Sequence, residues 1–191
     1  MNKIIGILGM QGAIVEHQEI LLQIPHTKTR IVKTAKDLDC IDGLILPGGE
    51  STAIGKLLDY FSLKEILQQK IISGLPVFGT CAGLILLAKN IENQTNTHLA
   101  TMDITVKRNG YGSQLDSFST NLLIPTIDKN MPIPLVFIRA PYITKTDKDV
   151  QILATLDNKI IAARQKNMLV SSFHPELTCD LRFHQYFLSM I

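Results

Sequence analysis

The segment Gly79-Thr80-Cys81-Ala82-Gly83 is a G-x-C-x-G pattern set between two apolar runs. It is the thiol counterpart of the G-x-S-x-G nucleophile elbow, in which a sharp strand-to-helix turn lifts a nucleophile clear of a sheet edge. A helix starting at Ala82 would aim its dipole and free N–H groups at Cys81 and favour the thiolate. The Ala82 N–H could also donate to an oxyanion. A buried cysteine at a tight helix–sheet contact would use the same residue types, so the pattern alone leaves both readings open. A nucleophilic thiol needs an oriented base, and His174-Pro175-Glu176 offers one. Pro175 keeps His174 out of a helix. Glu176 could take one imidazole nitrogen while the other faces the thiol, giving the order Cys81, His174, Glu176.

Three further segments have chemical potential. In Pro47-Gly48-Gly49-Glu50-Ser51-Thr52, paired glycines let backbone N–H groups approach a ligand closely. The Walker spacing and its lysine are missing, so a phosphate loop is not supported. Taken alone, the segment reads as a helix entry capped by Ser51 or Thr52. Arg108 and Arg139 suit bidentate carboxylate recognition, although either could be a surface ion-pair partner. Cys40, Cys81 and Cys179 form no C-x-x-C pair, which leaves a zinc site or disulfide framework without support.

The elements that must position these residues follow from the apolar pattern. The first half alternates strands and helices. Strands are expected at 3–8, 29–33, 43–46 and 75–78. Helices are expected after residue 13, with Ile14, Val15, Leu21 and Leu22 on one face, briefly over 35–39, from the capping box Ser62-Leu63-Lys64-Glu65 to before Gly74, and over 82–88. Alternation with near-continuous apolar strands predicts a parallel sheet covered on both faces. The second half is strand-rich, at 101–106, 117–124, 135–138, 152–156, 160–164 and 169–173, with a closing helix over 180–190. The fold expected is α/β: a doubly wound, flavodoxin-like, mostly parallel sheet flanked by helices, with an antiparallel or mixed extension, in one domain over 1–191. In such sheets ligands gather at the carboxyl ends of strands, which singles out the loops 9–12, 47–52, 79–83 and the segment after Phe173.

The chain has 191 residues, 46% of them apolar and 19% charged, enough for a sizeable core. Nineteen basic residues against seventeen acidic ones leave a net charge of +2, too balanced for the footprint of a nucleic-acid or membrane-surface binder. The stretch 71–88 carries no formal charge and raises the question of a membrane span. Its Pro76, Gly79 and Gly83 instead divide it into a buried strand, a turn and a buried helix. The N-terminal apolar run is too short for a signal peptide, so a cytoplasmic protein is expected.

In combination, these segments resemble the class I, triad-type glutamine amidotransferases, and within them the glutaminase subunits of pyridoxal 5′-phosphate synthase. The resemblance runs nearly end to end, through Gly9-Met10-Gln11-Gly12-Ala13 with Glu16-His17, then Leu46 to Thr52, then Phe78 to Leu87. It continues in Arg108-Asn109-Gly110-Tyr111-Gly112, Phe137-Ile138-Arg139-Ala140-Pro141 and His174-Pro175-Glu176-Leu177. The elbow and His-Pro-Glu belong to the wider group; the P-G-G-E-S-T, R-N-x-Y-G and I-R-A-P segments are more specific. The resemblance implies that Cys81 attacks the carboxamide of L-glutamine, His174 shuttles the proton and Glu176 orients His174. It implies that Gly48, Gly49, Glu50, Arg108, Ile138 and Arg139 hold glutamine. An oxyanion hole would draw on Gln11, Gly12, Gly49 and Ala82.

No cofactor and no metal are implied. The implied partner is a (β/α)8-barrel synthase subunit in a large ring-built complex, which receives ammonia internally to make pyridoxal 5′-phosphate (vitamin B6). The isolated glutaminase is then expected to be nearly silent. One departure stands out: Ser113 occupies a position where these subunits usually carry Arg. Met10 for Leu is a mild change. Two other readings compete. One is a glutaminase serving another synthase, for imidazole glycerol phosphate or aminodeoxychorismate, against which the R-N-x-Y-G and I-R-A-P segments argue. The other is a non-enzymatic elbow-cysteine redox sensor or chaperone, against which His174-Pro175-Glu176 argues.

Overall fold

The computed structural model describes residues 2–110 and 117–191; the expectations attached to Tyr111, Gly112, Ser113 and Gln114 lie outside them. The first half runs β1 (Lys3–Leu8), α1 (Ile14–Leu22), β2 (Thr27–Val32), a 3-10 turn (Ala35–Cys40), β3 (Gly43–Leu46), α2 (Ser51–Tyr60), α3 (Lys64–Ile72), β4 (Val77–Thr80) and α4 (Ala82–Leu87). The rest runs β5 (Ala88–Ile91), β6 (Met102–Lys107), β7 (Ser117–Leu122), β8 (Ile133–Ile138), β9 (Tyr142–Thr146), β10 (Gln151–Leu156), β11 (Lys159–Gln165), β12 (Met168–Ser171), a 3-10 turn (Pro175–Leu177) and α5 (Arg182–Leu188).

A ten-stranded sheet follows the order β2-β1-β3-β4-β12-β11-β9-β6-β5, with β10 paired to β11. The pairings from β2 through β12 are parallel. From β12 to β6 they are antiparallel, and β5 closes the edge parallel to β6. This is the doubly wound, mostly parallel sheet with an antiparallel extension. β3, β4 and β12 are buried along their whole length, as strands covered by helices on both faces must be. Because they are neighbours, the three loops leaving their carboxyl ends emerge side by side. A separate hairpin of β7 and β8 holds one of them, since the His174 N–H donates to the Val136 carbonyl at 2.8 Å.

Several local expectations are corrected. Val15 and Leu22 are 58% exposed; they lie about 100° round the helix from Ile14 and Leu21, and the inward face is instead His17, Ile20 and Leu21. Ser62 opens no capping box, because the end of α2 uses it. Ser62 has φ 54°; its N–H donates to the Asp59 carbonyl and the Leu63 N–H to the Leu58 carbonyl, a Schellman closure. Glu50, rather than Ser51 or Thr52, caps α2 by accepting from the Thr52 and Ala53 N–H groups. The strand expected at 75–78 lies at Val77–Thr80, because Pro76 has no N–H to give and pairing with β12 runs on to Thr80. β5 and β9 have no counterpart among the expected strands. No helix among the described residues is long and apolar enough to cross a membrane: the uncharged 71–88 stretch is the end of α3, β4 and α4.

Candidate active site

The elbow begins where β4 ends. Thr80 is the last strand residue, paired with Ser171, and Ala82 opens α4. Cys81 between them has φ 48° and ψ −98°, a strained conformation for a residue with a Cβ. The surroundings hold it: the Cys81 N–H donates to the Ser171 carbonyl at 2.8 Å. Close approach of the following helix turn to β3 requires a glycine, since a Cβ on Gly83 would sit 2.1 Å from the Leu46 carbonyl oxygen.

His174 leaves the carboxyl end of β12, the strand paired directly with the one that carries the elbow. Pro175 then starts a 3-10 turn that brings Glu176 back beneath the ring. The His174 Nδ1–H donates to Glu176 Oε1 at 2.7 Å, which leaves Nε2 for the hydrogen bond with Cys81. Burial by itself would lower the imidazole pKa. The hydrogen bond with Cys81, then that with Glu176, together with both charges, overcome it and raise the pKa to about 10. Burial likewise pushes the Glu176 carboxyl up, but His17 and His174 on either side win and hold it below the usual carboxylate range. Gly48 completes the fit: a Cβ there would lie 2.4 Å from His174 Cε1 and 3.5 Å from Cys81 Cβ.

Cys81, His174 and Gly48 line a cleft of about 500 Å³, within the range of small-molecule sites. Gln11, Gly12, Gly49, Glu50, Arg108, Ile138 and Arg139 line the same cleft. Glu176 and Ala82 lie behind these lining residues, 5% and 1% exposed. The Ala82 N–H, at the first position of α4, has no partner inside the helix. The Gln11–Gly12 loop is tied to the glycine pair. The Ala13 N–H donates to the Gly48 carbonyl at 3.0 Å, and Gln11 Oε1 accepts from the Glu50 N–H at 2.8 Å.

Glu50 is spoken for in another way. Its carboxylate caps α2 and pairs with Arg108 Nη2 at 2.9 Å, while Arg108 Nη1 donates to Thr52 Oγ1 at 3.2 Å. Arg139 is exposed at the β8–β9 turn with φ 46°. Glu16, Asn109 and Leu177, which belong to the motifs but have no assigned role from the sequence, also line the cleft. Behind the triad lie two buried histidines, His17 and His184; with Glu16 and Gln18 beside one and Gln185 after the other, they read in sequence as ordinary helix positions. Among the described residues, no group of three or more His, Cys, Asp or Glu side chains could hold a metal ion.

A thiol on a strand-to-helix elbow, with a hydrogen-bonded histidine and glutamate behind it on a doubly wound sheet, defines the class of cysteine-triad enzymes. The family model of the SNO glutamine amidotransferases matches residues 7–191, and the chain belongs to that family. It is 53% identical over 189 residues to the pyridoxal 5′-phosphate synthase subunit PdxT of Ruminiclostridium cellulolyticum, covering 99% of this chain and 100% of that one. It is 52% identical to the PdxT of Streptococcus pneumoniae, over 97% of this chain and 96% of that one. Among solved structures, a glutamine amidotransferase superposes with a TM-score of 0.90 at 38% identity, covering 97% of both chains. The PurLQS structure from Thermotoga maritima, at 15% identity and TM-score 0.69 over 99% of both chains, shares the fold.

Proposed function

We propose that this chain is the glutaminase subunit of a pyridoxal 5′-phosphate synthase, hydrolysing L-glutamine to L-glutamate and ammonia for a synthase subunit. The observation that carries the reading is the His174 imidazole held between Cys81 and Glu176 where it lines a cleft. Its particular assignment is supported by end-to-end identity with proteins named PdxT.

The Cys81 thiolate attacks the side-chain carboxamide carbon, forming the C–S bond as the carbonyl π electrons move onto oxygen. The Ala82 and Gly49 N–H groups, with the Gln11–Gly12 loop, receive that oxyanion. His174, protonated while paired with the thiolate, gives its Nε2 proton to the departing nitrogen, and ammonia leaves with the C–N electron pair. The remaining γ-glutamyl thioester is attacked by water, which loses its proton to the now neutral His174. Collapse of the second oxyanion breaks the C–S bond and restores the thiolate and imidazolium. Glu176 orients the ring and balances the imidazolium throughout. Arg139 is free to meet the α-carboxylate of glutamine, with Ile138 and the Gly48–Gly49 backbone shaping the site. Arg108 and Glu50 act at the rim as a pair.

Residues 1–191 work as one domain, since the ten-stranded sheet draws strands from both ends of the chain. The partner is a (β/α)8-barrel synthase subunit in a ring-built assembly, and the setting is cytoplasmic. The Gln11 and Glu50 contact holds the candidate oxyanion loop against the glycine pair in the isolated chain, which fits a glutaminase that is nearly silent until its partner docks. The test is glutamate release by the chain alone and after mixing with the barrel synthase. Strong stimulation is expected; equal rates with and without the synthase would overturn the partner assignment.

A further inference from the structure

His17 lies on α1 and His184 on α5, both 0% exposed, and neither has a role in the chemistry described so far. They sit against Phe78 and its neighbours: the Phe78 ring is T-shaped to both imidazoles, and Phe183 stacks on it. Burying two imidazoles in such a cluster costs more than an apolar pair of the same volume unless their nitrogens are used. They are used in one direction. His184 Nε2 lies 3.0 Å from His17 Nδ1. His17 Nε2 lies 3.1 Å from Thr80 Oγ1 and 3.5 Å from Glu176 Oε2. Thr80 is the residue before the nucleophile, and Oε2 is the Glu176 oxygen that His174 does not hold.

The proton positions follow from the partners. Burial, foremost, keeps both imidazoles neutral: the pKa of His17 is lowered and that of His184 is lowered to about 3. Each ring then has one N–H. If His17 carried it on Nδ1, a bare Nε2 lone pair would face the Glu176 carboxylate, and His184 would bury an orphan N–H on Nδ1. With the N–H on Nε2, His17 points a donor at Thr80 and Glu176 and accepts from His184. Of the two imidazoles, only a lone pair on His184 Nδ1 then stays unpartnered; Glu176 Oε2 likewise has no full hydrogen bond, and the His17 Nε2–H is aimed at it from 3.5 Å. Orphan acceptors are the less costly of the two.

We infer that His17 is a positioning residue of the triad: fixed by His184 as the Nε2–H tautomer, it anchors Glu176 Oε2 and the Thr80 hydroxyl together. The inner end of the triad and the strand residue before Cys81 are thereby set by one side chain from α1. At 3.5 Å the contact with Oε2 is electrostatic rather than a full hydrogen bond. It tightens when charge develops on His174 during proton transfer, which is when the carboxylate must hold its place.

The inference rests on the triad reading, and the experiment separates the two. Glutamine hydrolysis is measured for the chain together with its synthase, in wild type, Cys81→Ala, His17→Phe and His17→Gln. His17→Phe keeps the volume and removes the donor; kcat is expected to fall by roughly tenfold or more, with KM for glutamine within about twofold. In His17→Gln the amide N–H takes the place of Nε2–H, and most of kcat returns. In parallel, the low-field proton resonance of the His174–Glu176 hydrogen bond shifts in the Phe variant and returns in the Gln variant. Wild-type kcat in a folded His17→Phe, or equal losses in Phe and Gln that follow their melting temperatures, would overturn the inference with the triad intact. Undiminished hydrolysis by Cys81→Ala would remove the triad reading and this inference with it.

Discussion

Glu176 lies buried behind the cleft and Glu50 lines it, and each is bonded to a basic side chain. Their settings differ. The Glu176 side chain is 0% exposed and its partner His174 is 9% exposed, whereas Glu50 is 52% and Arg108 27% exposed. The buried carboxylate stays ionised only because histidines stand on both sides of it; removing it strands an imidazolium in a dry site. The rim carboxylate is helped by water and by two backbone N–H groups, and its ion pair is screened. The same pair of charge types is therefore a fixed part of the machinery in one place and an adjustable edge in the other.

Breaking the buried side has the larger expected effect. Glu176→Gln leaves His174 without its charge partner and with an ambiguous tautomer, so kcat should fall about 10³-fold or more. Glu50→Gln should cost less than about tenfold; comparable losses in the two would erase the distinction. Next is Gly48→Ala. The new Cβ meets the His174 ring at 2.4 Å, and a displacement of that order costs on the order of 10²-fold in turnover. A crystal structure or pH–rate profile would show the moved imidazole. Smaller again is Arg108→Met at the rim. KM for glutamine should rise severalfold, and unfolding free energy should change by less than about 1 kcal/mol, given how little an exposed ion pair is worth.

The smallest effect is a slope. An unfolded imidazole takes up its proton near 6.5, but burial, with the neighbouring His17, delays that of His184 to about 3. Between these values the unfolded chain binds the extra proton, so stability is lost as pH falls through the window. His174 has the opposite sign: with its pKa raised to about 10, its contribution is present below 6.5 and is lost as pH rises toward 10. Melting temperature measured against pH should fall on both sides of about 6.5. His184→Phe should flatten the acid side alone.

The sequence was most legible where local chemistry and local structure coincide. Gly79 to Gly83 could be placed between a strand and a helix because apolar runs flank the glycines on both sides. The parallel strands announced themselves as short apolar runs. What was illegible depended on contacts across the chain. Ser62 has the pattern of a cap, yet its φ is set by how α2 ends. Glu50 caps α2 although serine and threonine stand beside it, because Arg108, distant in sequence, holds its carboxylate in place. β9 is a short polar strand that exists only by pairing with β6 and β11. His17 and His184 are separated by 167 positions, and nothing in either helix reveals that they meet behind Glu176.

The most direct test of the Cys81 triad is covalent. A glutamine analogue with a diazoketone in place of the carboxamide, given to the chain with its synthase, alkylates whichever thiol attacks the side-chain carbonyl position. Peptide mass spectrometry distinguishes Cys81 from the exposed Cys40 and Cys179. The account predicts inactivation with the label on Cys81 alone, prevented by excess L-glutamine. Inactivation with Cys81 unmodified would contradict it.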